Sequence, residues 1–166
     1  IAISYLNLQP SSVVWDIGAG SGSISIEMAR LSNRIRVYAI EQDPHRFCDL
    51  KENIQRFEAH NVVPVEGSAP EIFSNLQAPD AVFIGGSDGK LHAILSEIAV
   101  RLKPFGQIVM NTVTLENLNN GFEQMTRLKL NPSVTSIQMA HSSSLGRYHT
   151  MKPDHPIFII RGQKGI

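Results

Sequence analysis

Val13-Val14-Trp15-Asp16-Ile17-Gly18-Ala19-Gly20-Ser21-Gly22 is the stretch whose reading decides the fold. A run suited to a buried strand, Val13 to Ile17, leads straight into glycines at alternate positions, and an amphipathic helix is predicted from Ser23 to Leu31. Glycines in such a turn let the backbone take positive φ and come close to a ligand. The turn alone is weak evidence, because it also serves as a plain tight strand-to-helix connection. Glu41 changes the weighing. It ends the next predicted strand, Arg34 to Glu41, 19 residues after Gly22. A carboxylate there can accept both hydroxyls of a ribose in the crevice at the carboxyl ends of parallel strands. Turn and carboxylate together point to nucleoside recognition.

Outward from this pair, short β-branched runs alternate with amphipathic helices, the pattern of an α/β parallel sheet with helices on both faces. Pro44 suits a helix's first turn, and Phe47, Leu50, Ile54 and Phe57 then make one buried stripe, while Lys51, Glu52, Gln55 and Arg56 face water. Val62 to Glu66 is a third strand, and Pro64 places it at a sheet edge because its missing N–H is tolerable only where no neighbour needs it. Asp80 to Ile84 is a fourth strand, followed by a helix with a stripe of Leu91, Ile94, Leu95, Ile98 and Leu102 that Pro104 stops. Gly106 to Thr112 is the fifth, followed by a helix carrying Leu115, Leu118, Phe122, Met125 and Leu128, which Gly121 weakens by roughly 1 kcal/mol relative to Ala. Ser133 to Ala140 and Pro156 to Arg161 lack a helix between them and should pair antiparallel across a long loop, His141 to His155.

Composition excludes several classes. The 166 residues hold 15 Lys and Arg against 15 Asp and Glu, so no global basic field exists to hold a nucleic acid or a membrane surface. A single cysteine, Cys48, cannot form an internal disulfide; a chain this long folds without such staples, and a reducing cytoplasm fits best. No apolar run is long enough to span a bilayer. The six histidines show no paired ligand spacing, so no metal site is expected. The chain begins with Ile1 rather than Met, and we expect 1–166 to be a single domain excised from a longer chain.

The nature of the nucleoside follows from details of the turn. A dinucleotide fingerprint would place its third glycine where Ser23 stands, and Asp16 precedes the first glycine. A phosphate-binding turn does not want a carboxylate at its mouth, whereas a cationic sulfonium and an ammonium do. This strand, turn and helix resemble motif I of the Rossmann-like S-adenosylmethionine-dependent methyltransferases. Their seven-stranded sheet is mostly parallel, has its third strand at an edge and ends in an antiparallel hairpin. In that fold, Gly67-Ser68-Ala69-Pro70-Glu71 at the end of the third strand flanks the adenine; locally it reads as a turn and helix N-terminus with Ser68 as cap. Gly85-Gly86-Ser87-Asp88-Gly89 after the fourth strand lies beside the methyl group, and it lacks the Asn/Asp-Pro-Pro-Tyr/Phe signature of base-amine methylation.

With Gly85-Gly86-Ser87, Asn111-Thr112-Val113-Thr114-Leu115-Glu116 and Leu145-Gly146-Arg147-Tyr148-His149-Thr150-Met151-Lys152-Pro153, nearly the whole chain resembles the decarboxylating precorrin methyltransferases of cobalamin biosynthesis. These are the CbiT type and the C-terminal half of the CobL-type fusion. The resemblance implies methylation of carbon 15 of a precorrin and loss of carbon dioxide from the acetate on carbon 12. It implies S-adenosylmethionine held by Asp16, Gly18, Ala19, Gly20, Ser21, Gly22, Glu41, Gln42, Ser68, Ala69 and Gly85. It also implies a homo-oligomer such as a tetramer, and a precorrin methylase domain fused upstream in some members. Ser68 stands where many relatives have Asp, and the segment before the first strand is short.

Orienting a substrate rich in carboxylates calls for basic groups. Arg147, His149 and Lys152 on the long loop, and Lys90 and His92 after the Gly-Gly-Ser turn, are the candidates, with Thr112 and Thr114 as further orienting residues. Tyr148 fits either a proton donor or a pocket cap. The substrate's conjugated imines can serve as electron sink, so neither a metal nor pyridoxal phosphate is expected. A methyltransferase for another small molecule, a nicotinamide-dependent oxidoreductase and a non-catalytic cofactor-binding subunit are the alternatives.

Overall fold

The computed structural model describes residues 1–165. In chain order its elements are α1 (Ala2–Tyr5), β1 (Val13–Ile17), α2 (Ser23–Arg30), β2 (Arg36–Glu41), α3 (Pro44–Arg56), β3 (Val62–Glu66), β4 (Ala81–Ile84), α4 (Leu91–Arg101), β5 (Gln107–Thr112), α5 (Leu115–Arg127), β6 (Ser133–Ile137), β7 (Ala140–Leu145), β8 (Tyr148–Pro153) and β9 (Ile157–Gln163). Seven strands form one sheet in the order β3-β2-β1-β4-β5-β9-β6. β1 to β5 run parallel, and β9 enters antiparallel between β5 and β6. Pro64 does sit on the edge strand, where β3 pairs with β2 alone. No helix among the described residues is long and apolar enough to cross a membrane.

Alternation along each strand feeds two cores, one on each face of the sheet. Trp15, Ile17, Ile84, Ile108 and Met110 pack under α4 and α5 through Leu95, Ile98 and Met125. Val14, Val37, Ala39, Phe83 and Val109 face the other way, against Ile26 and Met28 of α2, Phe47 and Leu50 of α3, and Leu6 just after α1. Every residue of β1 is buried, including Asp16.

Four expectations fail for identifiable reasons. Phe57 is exposed, because α3 ends at Arg56 and Phe57 serves only as its C-terminal cap. On α5 the inward face runs through Gly121, Gln124 and Met125, leaving Leu115 68% exposed and Phe122 at the surface. Gly121 is therefore a packing residue: a Cβ there would lie 2.9 Å from Ile160 Cδ1 and 3.3 Å from the Met110 sulfur. After β3 no helix starts at Ser68; the chain turns into a short 3₁₀ segment, Phe73–Asn75. The predicted loop from His141 to His155 is instead the greater part of a two-stranded ribbon, β7 against β8, with Leu145 opposite Tyr148. Gly146, at φ +60°, takes the first position of its two-residue turn, where such hairpins favour glycine.

The strand order reverses between β1 and β4, and there two glycine turns meet. Gly18, at φ +70°, lies so close to the neighbouring loop that a Cβ would stand 2.8 Å from Gly86 N and 2.9 Å from Gly86 O. Gly85 N and Gly86 N both donate to Ile17 O, at 2.9 and 3.3 Å. Gly20, at φ +58°, has open space around its missing Cβ. Gly18→Ala should therefore cost about 2–4 kcal/mol in chemical denaturation, from backbone overlap added to strain, and Gly20→Ala only about 1–2 kcal/mol, from strain alone. Equal costs at the two positions would show that the loops do not pack as described.

Candidate functional site

At the carboxyl ends of β1 and β2 the backbone is organised by one side chain. Gly18 N and Ala19 N donate to Ile40 O, each at 3.0 Å, which draws the glycine turn over the end of β2. Glu41, nearly fully buried, then accepts Gly20 N on Oε2 at 2.8 Å and Gln42 N and Asp43 N on Oε1, each at 2.9 Å. Three of the roughly four lone-pair positions of the carboxylate are thus used by the chain itself. Glu41 was expected to accept both hydroxyls of a ribose, but its first task is to hold two loops in place.

Asp16 is 1% exposed. Its Oδ2 accepts the Ser25 hydroxyl of α2, and its Oδ1 has no partner among the described residues. Burial pushes its carboxyl up to about 6; the Ser25 hydrogen bonds pull the other way, and the Glu41 charge adds to the rise. A buried acceptor left without a donor is costly, and a cation or an N–H donor would relieve it.

Beside these groups lies a cavity of about 370 Å³. Gly18, Glu41, Gln42, Ser68, Ala69 and Gly85 line it, while Asp16, Ala19, Gly20, Ser21 and Gly22 stand outside the lining, in β1 and the turn. Its apolar walls come from Ile17, Ile40, Ala69 and Ile94. Asp88, in the loop singled out after the fourth strand, lines it too, as do Asp43 and Arg46, which sequence reasoning missed. Asp43 could have been found: it precedes Pro44 and caps α3 by accepting Arg46 N at 2.9 Å. Arg46 carries no local signal.

Polar contacts tie the surrounding loops together. Gln42 Nε2 donates to Asp88 Oδ2 at 2.8 Å, joining the β2 and β4 loops. Lys90 Nζ donates to Ser68 Oγ at 2.9 Å and to Glu71 Oε1 at 2.8 Å, joining the start of α4 to the β3 loop. Lys90 is thus engaged with the chain's own groups, although the sequence had suggested it for substrate. Its ammonium holds the Glu71 carboxyl below the usual range.

The remaining candidates do not line this cavity. Thr112 is buried at the end of β5, and its Oγ1 accepts Thr114 N at 3.3 Å; Thr114 in turn caps α5 by accepting Asn117 N at 3.3 Å. His92 is exposed on α4. Arg147 occupies the tip of the ribbon, with its guanidinium 5.0 Å from the Tyr148 ring centroid. Pairing of His141 with Lys152 and of Leu145 with Tyr148 puts Lys152, Thr150 and Tyr148 on one face of the ribbon and His149 on the other. Arg147, His149 and Lys152 therefore do not form a single basic surface. No cluster of metal-ligating side chains occurs among the described residues.

A crevice at a topological switch point, a glycine turn and a buried carboxylate at the end of β2 are the features that nucleoside sites of such sheets share, and the unpartnered Asp16 oxygen lies in the strand that feeds the turn. The family model for the precorrin methyltransferase domain matches residues 1–164. Over 165 residues the chain is 36% identical to the cobalt-precorrin-6B C(15)-methyltransferase (decarboxylating) of Salmonella typhimurium, spanning 99% of this chain and 85% of that protein. The crystal structure of precorrin-6y C5,15-methyltransferase from Geobacter metallireducens superposes with a TM-score of 0.93 at 39% identity, covering 98% of this chain and 86% of that one. The precorrin 8W decarboxylase of Methanobacterium thermoautotrophicum superposes with a TM-score of 0.87 at 30% identity, over 96% and 86%. With its glycine turn, buried glutamate and terminal antiparallel strands in the expected places, the chain belongs to the precorrin methyltransferase domain family.

Proposed function

We propose that the chain transfers a methyl group from S-adenosylmethionine to carbon 15 of a precorrin and releases carbon dioxide from the acetate on carbon 12. The observation that carries this reading is the Glu41 cage around the glycine turn, with the unpartnered Asp16 oxygen behind it. The names of the relatives support the substrate class. A family match over residues 1–164 supports a single methyltransferase domain.

The residues present fit the cofactor. Asp16 offers its free carboxylate oxygen to the ammonium of the amino-acid arm, Gly20 leaves open space where a side chain would intrude, and Glu41 keeps one acceptor position for a ribose hydroxyl. Ile40, Ala69 and Ile94 supply apolar walls for a purine. When bound, S-adenosylmethionine supplies an electrophilic methyl group on a sulfonium. Displacement at that carbon needs alignment and exclusion of water more than an activated protein nucleophile. The Gln42–Asp88 and Lys90–Ser68–Glu71 contacts serve that end by tying three loops around the cavity. Decarboxylation leaves an electron pair that the substrate's conjugated imines can take up, so the protein's part is to desolvate and orient the acetate.

Arg147 and Lys152, on a ribbon outside the cavity lining, are proposed to orient substrate carboxylates, and Thr112 and Thr114 to shape the neighbouring end of β5. A two-stranded ribbon is marginal by itself. This one exposes Leu145, Tyr148 and Met151, which supports a homo-oligomer, such as a tetramer, in which it is covered.

Two tests follow. Because burial favours the protonated Asp16, this group's contribution to the stability of the unliganded chain falls by about 3 kcal/mol as pH rises from about 3.8 to about 6 and stays lost above that. An ammonium favours the carboxylate, so binding of S-adenosylhomocysteine should tighten as pH rises through about 6, with release of a proton. Calorimetry should show this dependence in the wild type and its loss, with weaker binding but no loss of stability, in Asp16→Asn; a pH-dependent Asp16→Asn would contradict the assignment. For catalysis, mass spectrometry should find a product that has gained one methyl and lost one carbon dioxide. Arg147→Ala and Lys152→Ala should lower kcat/KM for the tetrapyrrole at unchanged cofactor affinity, and Arg147→Lys should not restore it, since an ammonium cannot reproduce a bidentate fork. Wild-type kinetics in both alanine variants would remove the ribbon from the substrate site.

A further inference from the structure

Resting on the cofactor reading above, the cavity has a direction. With the ribose at the end of β2 and the cationic arm toward Asp16 at the end of β1, the base lies toward the end of β3, where Ser68 and Ala69 form the lining. Among the described residues Ala69 N–H donates to no protein acceptor, so a hydrogen-bond donor is available there. Ser68 Oγ is the neighbouring polar side-chain atom. A hydroxyl carries one donor and two lone pairs, and left to rotate it offers either polarity.

Lys90 narrows that freedom. Its ammonium occupies one lone pair of Ser68 Oγ at 2.9 Å and is itself anchored on Glu71 Oε1 at 2.8 Å. The hydroxyl hydrogen has Ala69 O at 3.5 Å as an acceptor within the chain. With the hydrogen directed there, a lone pair remains for the cavity. An acceptor at Ser68 beside a donor at Ala69 is complementary to the edge of adenine, whose exocyclic amine donates and whose ring nitrogen accepts. The same pair opposes the 6-oxo edge of hypoxanthine, in which both polarities are reversed. The Lys90 and Glu71 side chains are 40% and 59% exposed, so their ion pair adds little to stability and its effect is one of geometry.

We propose that Lys90 is a positioning residue for purine selection: by holding Ser68 Oγ it presents a fixed acceptor to the 6-amino group of the cofactor. The test is calorimetric binding of S-adenosylhomocysteine and of its 6-oxo analogue, S-inosylhomocysteine, to the full chain. The wild type should prefer the adenosyl ligand by about tenfold or more. Lys90→Met should reduce that ratio by about threefold to tenfold, the range for one neutral hydrogen bond, and Lys90→Arg should retain it. Ser68→Ala should reduce it similarly, and adding Lys90→Met to Ser68→Ala should change it no further. If Lys90→Met weakens both ligands alike and leaves the ratio intact, Lys90 only braces the loop and the proposal is overturned while the cofactor reading stands. A wild-type chain that binds neither ligand overturns the cofactor reading and this proposal with it.

Discussion

The site depends on the Glu41 carboxylate and the three backbone N–H groups that converge on it. A buried carboxylate is tolerated only when hydrogen bonds replace its water, and here Gly20, Gln42 and Asp43 supply them. That requirement makes the loops after β1 and β2 a single unit. Gly18 and Ala19, bonded to Ile40 O, and Gly18 packed on Gly86, carry the constraint on to the loop after β4. Side chains large enough to fill the junction would block these approaches, which is why glycines stand at both turns.

Asp16 shows the opposite balance. Its Oδ1 is buried without a partner, and its carboxyl is raised to about 6, so the unliganded fold carries a cost that the core does not require. Such a departure from local rules is the mark of a functional site, and Asp16 stands at the end of β1 directly ahead of the glycine turn. On the β3 loop the carboxylate present, Glu71, stands outside the cavity lining and anchors Lys90, which donates to Ser68 Oγ.

Much of this was legible in the sequence because it is local. Val13 to Ile17 is a strand with the boundaries that its apolar run gives, Pro64 marks the edge strand through a missing donor, and Glu41 stands out as an acidic residue ending a buried strand. What stayed hidden is what depends on partners distant in sequence. Gly121 reads as a flaw in a helix until Ile160 and Met110 are brought against it, and the same close approach turns Leu115 and Phe122 outward. The ribbon carried a signal in Leu145-Gly146-Arg147-Tyr148, a glycine-first two-residue turn, but its serine-rich flanks lack the apolar alternation that marks a strand. Asp88 and Lys90 acquire meaning only through Gln42, Ser68 and Glu71, which lie on other loops.

The claim that Glu41 both builds the glycine turn and holds the nucleoside is tested most directly by the dissociation constant of S-adenosylhomocysteine for Glu41→Ala, measured by calorimetry beside the wild type. Loss of the acceptor should weaken binding by about 1–3 kcal/mol, roughly fivefold to 150-fold, because the hydrogen bond to the ribose and those to the turn disappear together. An unchanged dissociation constant would contradict the account.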